Sequence, residues 1–350
     1  MRIHVTDLNI GDQLNSNVFN NYGLHVLSSE TILNNEDISK LFRHNIEYVD
    51  IMMRNDFQAT EEINPKLESI IVNVFPKFES AATSMKNLFA QVRAEGKIDE
   101  QVVHQNIDPL LQQFQQEKDV VSLLLTLTNK DDYTYQHCVQ VGMISYYLAL
   151  WIGLPEEQAL LTGKAGFLHD IGKSKIDEAI LNKPGKLTDE EFDAMKGHTT
   201  FGFEIIKNSL VAHKEISLVA LQHHERLDGT GYPNRLTREK LHPMSRIISV
   251  ADVYSAMISS RVYQKKRDLL YVLRELHKLS FSELDPHIVH SFIQKMIPSF
   301  IGKKLIMRTG EIGQIIMTNP TDVFRPLIKI NDQFMDMSKN HNYEIETIFI

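Results

Sequence analysis

The stretch EEQALLTGKAGFLHDIG, residues 156–172, decides how the middle of this chain is built. Its apolar residues recur at helical spacing, and Gly172 is a common helix-ending residue. Just before that end stand His169 and Asp170, side by side. Neighbours on a helix point about 100° apart, so both can address one centre only near a helix terminus. Gly172 supplies that terminus.

Working outward, nearly everything from about 119 to 297 reads as helix. DDYTYQHCVQVGMISYYLALWIG (131–153) carries an apolar stripe and also stops at glycine. TDEEFDAMKGHTTFGFEII (188–206) opens with Thr188 and Glu191 in a capping-box arrangement. HPMSRIISVADVYSAMISS (242–260) is apolar around much of its circumference, which predicts a central, buried helix. Residues 61–118 read as two further helices divided near Gly96, with a kink at Pro76.

The two ends differ. RIHVTDL and EYVDIMM are short strand-like pieces, with NNYG and LNNED as turn or cap signals between them. After Gly302 a strand-like period returns, with Gly310 and Gly313 predicted at a hairpin. The expected class is mainly α. The expected division is a β-containing N-terminal region (1–60), a helical connector (61–118), a helical core domain (119–300) and a β-rich C-terminal extension (301–350).

Composition sets the function classes aside that need special chemistry. The 350 residues are 43% hydrophobic and 23% charged, as in ordinary globular proteins. A net charge of -8 argues against an unspecific grip on duplex nucleic acid or anionic lipid. It leaves room for a small nucleotide at a local positive site. One cysteine, Cys138, excludes an intramolecular disulfide framework and fits a reducing, cytoplasmic compartment. The start lacks a signal-peptide layout, and the longest apolar runs are too short to span a bilayer, so no direct membrane insertion is expected.

The polar residues inside the helical core carry the chemistry. Of fifteen histidines, His137, His169, His198, His223 and His224 fall on predicted helices among apolar neighbours. Asp252 sits in the middle of the very apolar RIISVADVYSAMI, where an unpartnered carboxylate would cost several kcal/mol or take up a proton. Singly, each is most economically a satisfied core or boundary residue. Jointly, imidazoles and two carboxylates on helices that must pack together make a set typical of two transition-metal ions. The intervals 137 to 169, 170 to 198, 198 to 223 and 224 to 252 each allow one helix and a turn, so successive helices of one bundle can supply the ligands. His213, His242, His277, His287 and His290 lack this context and are read as surface or boundary residues. Cys138 is read as core. Glu225 is read as a salt-bridge or ligand-supporting partner rather than a ligand.

HDIGK (169–173), His198 in KGHTTFGFEII, and HHERLDGTGYP (223–233) followed by ISVADVYSAMISSRVY resemble the HD-GYP family of phosphohydrolases, a branch of the HD superfamily. The resemblance covers roughly residues 125–297. It implies a helical HD-superfamily bundle carrying a dimetal site, and hydrolysis of the bacterial second messenger cyclic di-GMP to pGpG or onward to GMP. It implies His137, His169, Asp170 and Asp252 around one divalent ion, and Asp170, His198, His223 and His224 around the other, iron or manganese being expected. Two such ions sharpen a water for in-line attack on phosphorus.

Lys173 is the candidate for contacting the scissile phosphate or the attacking water. In the loop, Gly229 and Gly231 are read as permitting positive φ and close approach to a nucleotide. Tyr232 is a face for guanine, Pro233 a stiffener, and Asp228 an acceptor toward loop backbone or guanine. Arg261 could fork onto the second phosphate with Tyr263 beside it. The chain departs from the family at Gln264, where a basic residue is common, and at Tyr133, where some members carry a glutamate for a third metal. The competing readings are a nonhydrolytic cyclic-dinucleotide sensor and a phosphohydrolase for another cyclic dinucleotide or pGpG. The flanking regions are left to pair two chains, dock a signalling partner or regulate access.

Overall fold

The computed structural model describes residues 2–5, 8, 11–20, 22–52, 75–114, 121, 133–211, 213–258, 269–319 and 321–348. The chain divides into two compact units, one made of Met1–Ile63 with Ile297–Ile350, the other of Asn64–Met296. The β-containing segments at the two ends of the sequence thus belong to one unit.

In that unit β1 (Arg2–His4) pairs antiparallel with β4 (Tyr48–Asp50), and β2 (Val18–Phe19) with β3 (His25–Leu27). Helix α1 (Asn35–Arg43) starts at the cap signal in LNNED, where Asn34 and Asp37 form a capping box. Val5, Leu14, Leu33, Leu41 and Ile51 are buried in its core, with Ile312 from the C-terminal segment packed against them. That segment forms one antiparallel sheet in the order β8-β7-β6-β5-β9, with β5 at Lys304–Met307, β6 at Ile312–Met317, β7 at Leu327–Ile330, β8 at Gln333–Asp336 and β9 at Ile345–Ile348. Gly310 lies in the β5–β6 turn with φ +91°, as expected. Gly313 does not. It sits inside β6 opposite Leu305, where a Cβ would press on Ile330 and the Lys329 carbonyl.

The second unit is helical. Helices α2 (Phe75–Glu95) and α3 (Glu100–Phe114) flank Gly96, whose φ of +74° ends α2. Pro76 falls in the first turn of α2 as described, while Pro109 is the proline inside a helix. The part of the first expected helix that precedes Phe75 lies outside the described residues. Helix α4 (Tyr133–Trp151) packs along α5 (Glu156–Leu168), and their facing sides bury Val141, Ile144, Leu148, Phe167 and Leu168.

What reads as one helix over 188–206 is two. Helix α6 (Asp189–Lys196) begins with the Thr188–Glu191 capping box, and α7 (His198–Ser209) follows directly after Gly197. Helix α8 (Lys214–Gln222) leads into the histidine pair. Helix α9 (Pro243–Ile258) is central and buried, as its sequence predicts, with Ile247, Ile248, Val250, Ala251 and Tyr254 all inside. Helices α10 (Leu269–Leu279) and α11 (Pro286–Met296) close the unit. Among the described residues no helix is long and apolar enough to cross a membrane.

Candidate metal centre

Each ligand candidate stands where local structure frees its ring. His137 lies within α4, His169 caps the C-terminus of α5, His198 opens α7, and His223 caps α8 with His224 immediately after. Asp170 begins the 3-10 turn Ile171–Lys175, so the His169–Asp170 doublet does sit at a helix end. Gly172 is what lets this turn reach α7. A Cβ there would collide with the His198 carbonyl and the Gly202 backbone, so any other residue would push His198 away from Asp170.

Three rings are held in one tautomer by one device. His169, His198 and His223 each donate Nδ1–H to the carbonyl three residues earlier, on Gly166 at 2.7 Å, Met195 at 2.7 Å and Ala220 at 3.0 Å. Their Nε2 atoms are thereby turned inward as lone pairs. His137 reaches the same state through side chains. Ser255 donates its hydroxyl to Gln140 Oε1 at 2.9 Å, so its oxygen accepts from His137 Nδ1 at 2.9 Å.

The carboxylate of Asp170 divides its oxygens between two groups. Oδ2 is 3.3 Å from His169 Nε2 and 3.9 Å from His137 Nε2, while Oδ1 is 3.3 Å from His198 Nε2 and 3.7 Å from His223 Nε2. Asp252 spans the centre as well. Its Oδ1 lies 3.0 Å from His137 Nε2 and 4.0 Å from His169 Nε2, and its Oδ2 lies 3.7 Å from His224 Nδ1. The candidate ligand atoms of Asp170, His198, His223 and His224 fall within 4.8 Å of one another, as do those of His137, His169 and Asp170.

This arrangement fits cations. His198 and His223 face each other Nε2 to Nε2 at 3.3 Å, although each has committed its ring proton elsewhere. Buried His169 Nε2 and Asp170 Oδ1 have no hydrogen-bond partner among the described residues. Lone pairs converging without protons are costly in a buried site unless positive charge lies between them. The donor set of imidazole nitrogens and carboxylate oxygens suits divalent transition metals, and it does not select one.

The electrostatics of the metal-free chain agree. Burial drives the pKa of His223 down to about 4 and lowers those of His137 and His224, against the pull of the carboxylates. Burial also opposes charge on Asp170 and Asp252. Neighbouring His169 and Lys173 outweigh it for Asp170, and His137 for Asp252, so both stay well below the usual carboxylate range. His169 is the exception among the rings, because the adjacent Asp170 charge outweighs burial and raises its pKa. Neutral imidazoles and ionised carboxylates are the protonation states that bind metal.

Lys173 lies in the 3-10 turn, with Nζ 2.5 Å from Asp170 Oδ2. Burial opposes its charge, but Asp170 overrides that and its pKa is raised. It is a fixed cation at the edge of the centre. Asp228 caps its own loop, accepting from Thr230 N at 3.0 Å and Thr230 Oγ1 at 2.7 Å. Gly229 has the expected positive φ, +78°. Gly231 does not share it. Its missing side chain makes room for the backbone of His224, Glu225 and Arg226, so the close approach is to the chain itself. Tyr232 stacks on His224, ring centroids 4.7 Å apart, which covers one of the two faces expected to receive a base. Pro233 follows Tyr232 through a cis peptide bond and is exposed. Arg261 and Tyr263 lie outside the described residues.

Glu225, read from the sequence as a salt-bridge or ligand-supporting partner, acts on the loop rather than in a salt bridge. Glu225, buried, accepts from Asn234 N at 2.7 Å and Leu236 N at 2.9 Å, tying the loop beneath the histidine pair. Glu225→Ala should therefore lower stability by roughly 2 kcal/mol through the orphaned amides, measured by denaturant unfolding. Unchanged stability would mean that the loop is held by something else. Ser255 and Gln140, which hold His137, gave no local sequence signal. Ser255→Ala should weaken metal binding about 10- to 100-fold in chelator competition, because His137 loses the acceptor that fixes its tautomer.

Residues 119–288 match the HD domain family. Over 250 residues the chain is 30% identical to a cyclic di-GMP phosphodiesterase of Pseudomonas aeruginosa, covering 71% of this chain and 60% of the relative. Over 178 residues it is 38% identical to a cyclic di-GMP phosphodiesterase of Thermotoga maritima, covering 50% and 48%. The chain thus spans about half to three fifths of these curated relatives' lengths. In fold it is similar to an HDG"Y"P protein from Bdellovibrio bacteriovorus, with a TM-score of 0.51 at 18% identity, over 84% of this chain and 99% of the other.

Proposed function

We propose, from the premise that this chain carries an HD domain over residues 119–288 and motifs that resemble the HD-GYP branch, that it is a metal-dependent phosphodiesterase cleaving cyclic di-GMP to pGpG or GMP. The observation that carries this reading is the split carboxylate of Asp170, one oxygen toward His137 and His169, the other toward His198 and His223. His137, His169, Asp170 and Asp252 would hold one divalent ion, and Asp170, His198, His223 and His224 the second. Iron or manganese is the identity we favour. Bound there, such ions supply the positive charge that acidifies water and polarises a phosphoryl oxygen.

The chain's own groups do the rest. Lys173, kept cationic by Asp170, is placed to donate to a non-bridging phosphoryl oxygen or to orient the attacking water. The loop 228–233 walls the site on the His224 side, and burial keeps the Tyr232 phenol protonated, so it offers a neutral surface and a hydroxyl donor. Within the segments, 119–300 is the catalytic part, 61–118 its connector, and 1–60 with 301–350 are the parts we assign to docking or pairing.

Product chromatography after incubating the metal-loaded full chain with cyclic di-GMP tests the reading, with metal content measured by mass spectrometry on the same sample. Linear pGpG or GMP is the expected result. Intact substrate together with measurable binding would make the protein a nonhydrolytic sensor.

A further inference from the structure

We propose that Phe192 and Lys196, on the outer side of Tyr232, form a shelf that takes a guanine base of the substrate. The inference rests on the reading of the centre as a cyclic dinucleotide hydrolase and adds the residues that would recognise its base.

Tyr232 has its ring against His224 at an interplanar angle of 30°. The open aromatic surface next to the centre is therefore its neighbour. Phe192 meets Tyr232 edge to face, with centroids 6.4 Å apart, and is 46% exposed. An aromatic ring on a helix is ordinarily there to fill a core. That explanation fails for Phe192, because α6 has no buried residue at all.

The start of the helix is well defined. Its capping box closes its first turn, and Lys183 Nζ pairs with Glu191 at 2.6 Å. Its last residue, Lys196, is separated from the candidate ligand His198 by Gly197 alone. An exposed aromatic surface on a helix ending two residues before a candidate metal ligand is what a stacking platform requires.

Lys196 supplies the polar half. Its Nζ stands 4.7 Å from the Phe192 ring centroid and 6.0 Å from that of Tyr232. It also touches Asp193 Oδ1 at 2.7 Å, but the Asp193 side chain is largely exposed, and such surface pairs hold weakly. The ammonium lies over the Phe192 ring, so a base stacking there displaces it from the face to the base's edge, where it meets the base's acceptors. Guanine presents two adjacent acceptors, O6 and N7, whereas adenine replaces one with a donor. The shelf therefore selects guanine.

The test uses the full chain with its metals. Phe192→Ala should raise KM for cyclic di-GMP about tenfold and weaken pGpG binding by a similar factor in calorimetry, with Phe192→Tyr restoring both. Lys196→Met should narrow the ratio of kcat/KM for cyclic di-GMP over cyclic di-AMP several-fold. Unchanged KM and unchanged pGpG affinity in Phe192→Ala would overturn the shelf. If the wild-type chain turns over no cyclic di-GMP, the hydrolase reading falls, and pGpG affinity alone then decides the shelf: equal values for wild type and Phe192→Ala reject it, a tenfold loss upholds it.

Discussion

Asp170→Ala should abolish turnover, by at least about 10³-fold, and remove most bound metal while the helical circular dichroism persists. Both effects follow from the position of one carboxylate. Oδ1 and Oδ2 face different histidine groups, so its loss takes a ligand from each candidate ion at once. The metal-free protein also suffers, because His169 and Lys173 lose the charge that raises their pKa values. Breaking a buried charge pair in this way costs about 3–5 kcal/mol. Asp170→Asn separates shape from charge: it keeps the volume, and should lose metal to the same extent with a smaller loss of stability. Retained turnover in either variant would remove the centre assigned here.

The second large effect is on the metal-free protein as pH falls. His137, His223 and His224 have folded-state pKa values below the ordinary histidine value, about 4 for His223. An unfolded chain takes protons at these rings near pH 6.5, and the folded chain refuses them. The unfolded state then binds more protons, so stability falls with acidification through the window from about pH 6.5 towards 4. Each such ring contributes about 1.4 kcal/mol per pH unit across its own window.

His169 has the opposite sign. Its folded pKa is raised, so its contribution is complete below pH 6.5 and is lost as pH rises through the folded value. Stability in chelator should accordingly peak near neutrality, and urea midpoints from pH 4 to 9 would show it. Added metal should remove the alkaline decline, because a cation then replaces the His169 proton. A monotonic rise from pH 4 to 9 in chelator would contradict the assignment.

What the sequence could and could not disclose follows from the range of the interactions. The HDIGK and HHERLDGTGYP motifs mark side chains whose spacing is local, and the structure brings His137, His169, Asp170, His198, His223, His224 and Asp252 to one place. Helix α9 was legible because burial on all sides writes itself into composition. The break at Gly197 was not, since Gly197 keeps right-handed helical backbone angles and the apolar pattern runs through it. The Gln140–Ser255–His137 chain joins positions more than a hundred residues apart, and a serine inside an apolar helix carries no sign of its partner. Glu225 beside two histidines suggested a supporting role, but its acceptance of loop amides depends on a turn that only the fold reveals. That the first and last segments share one unit was likewise invisible, because their strand pairings are written in short pieces with no matching signal across the chain.

Gly172 has a bearing on inheritance. Because the His198 carbonyl occupies the space its side chain would need, a descendant could keep every candidate metal ligand and still be silent after one change at this glycine. Sorting working copies from relics by counting ligands would pass that descendant as active.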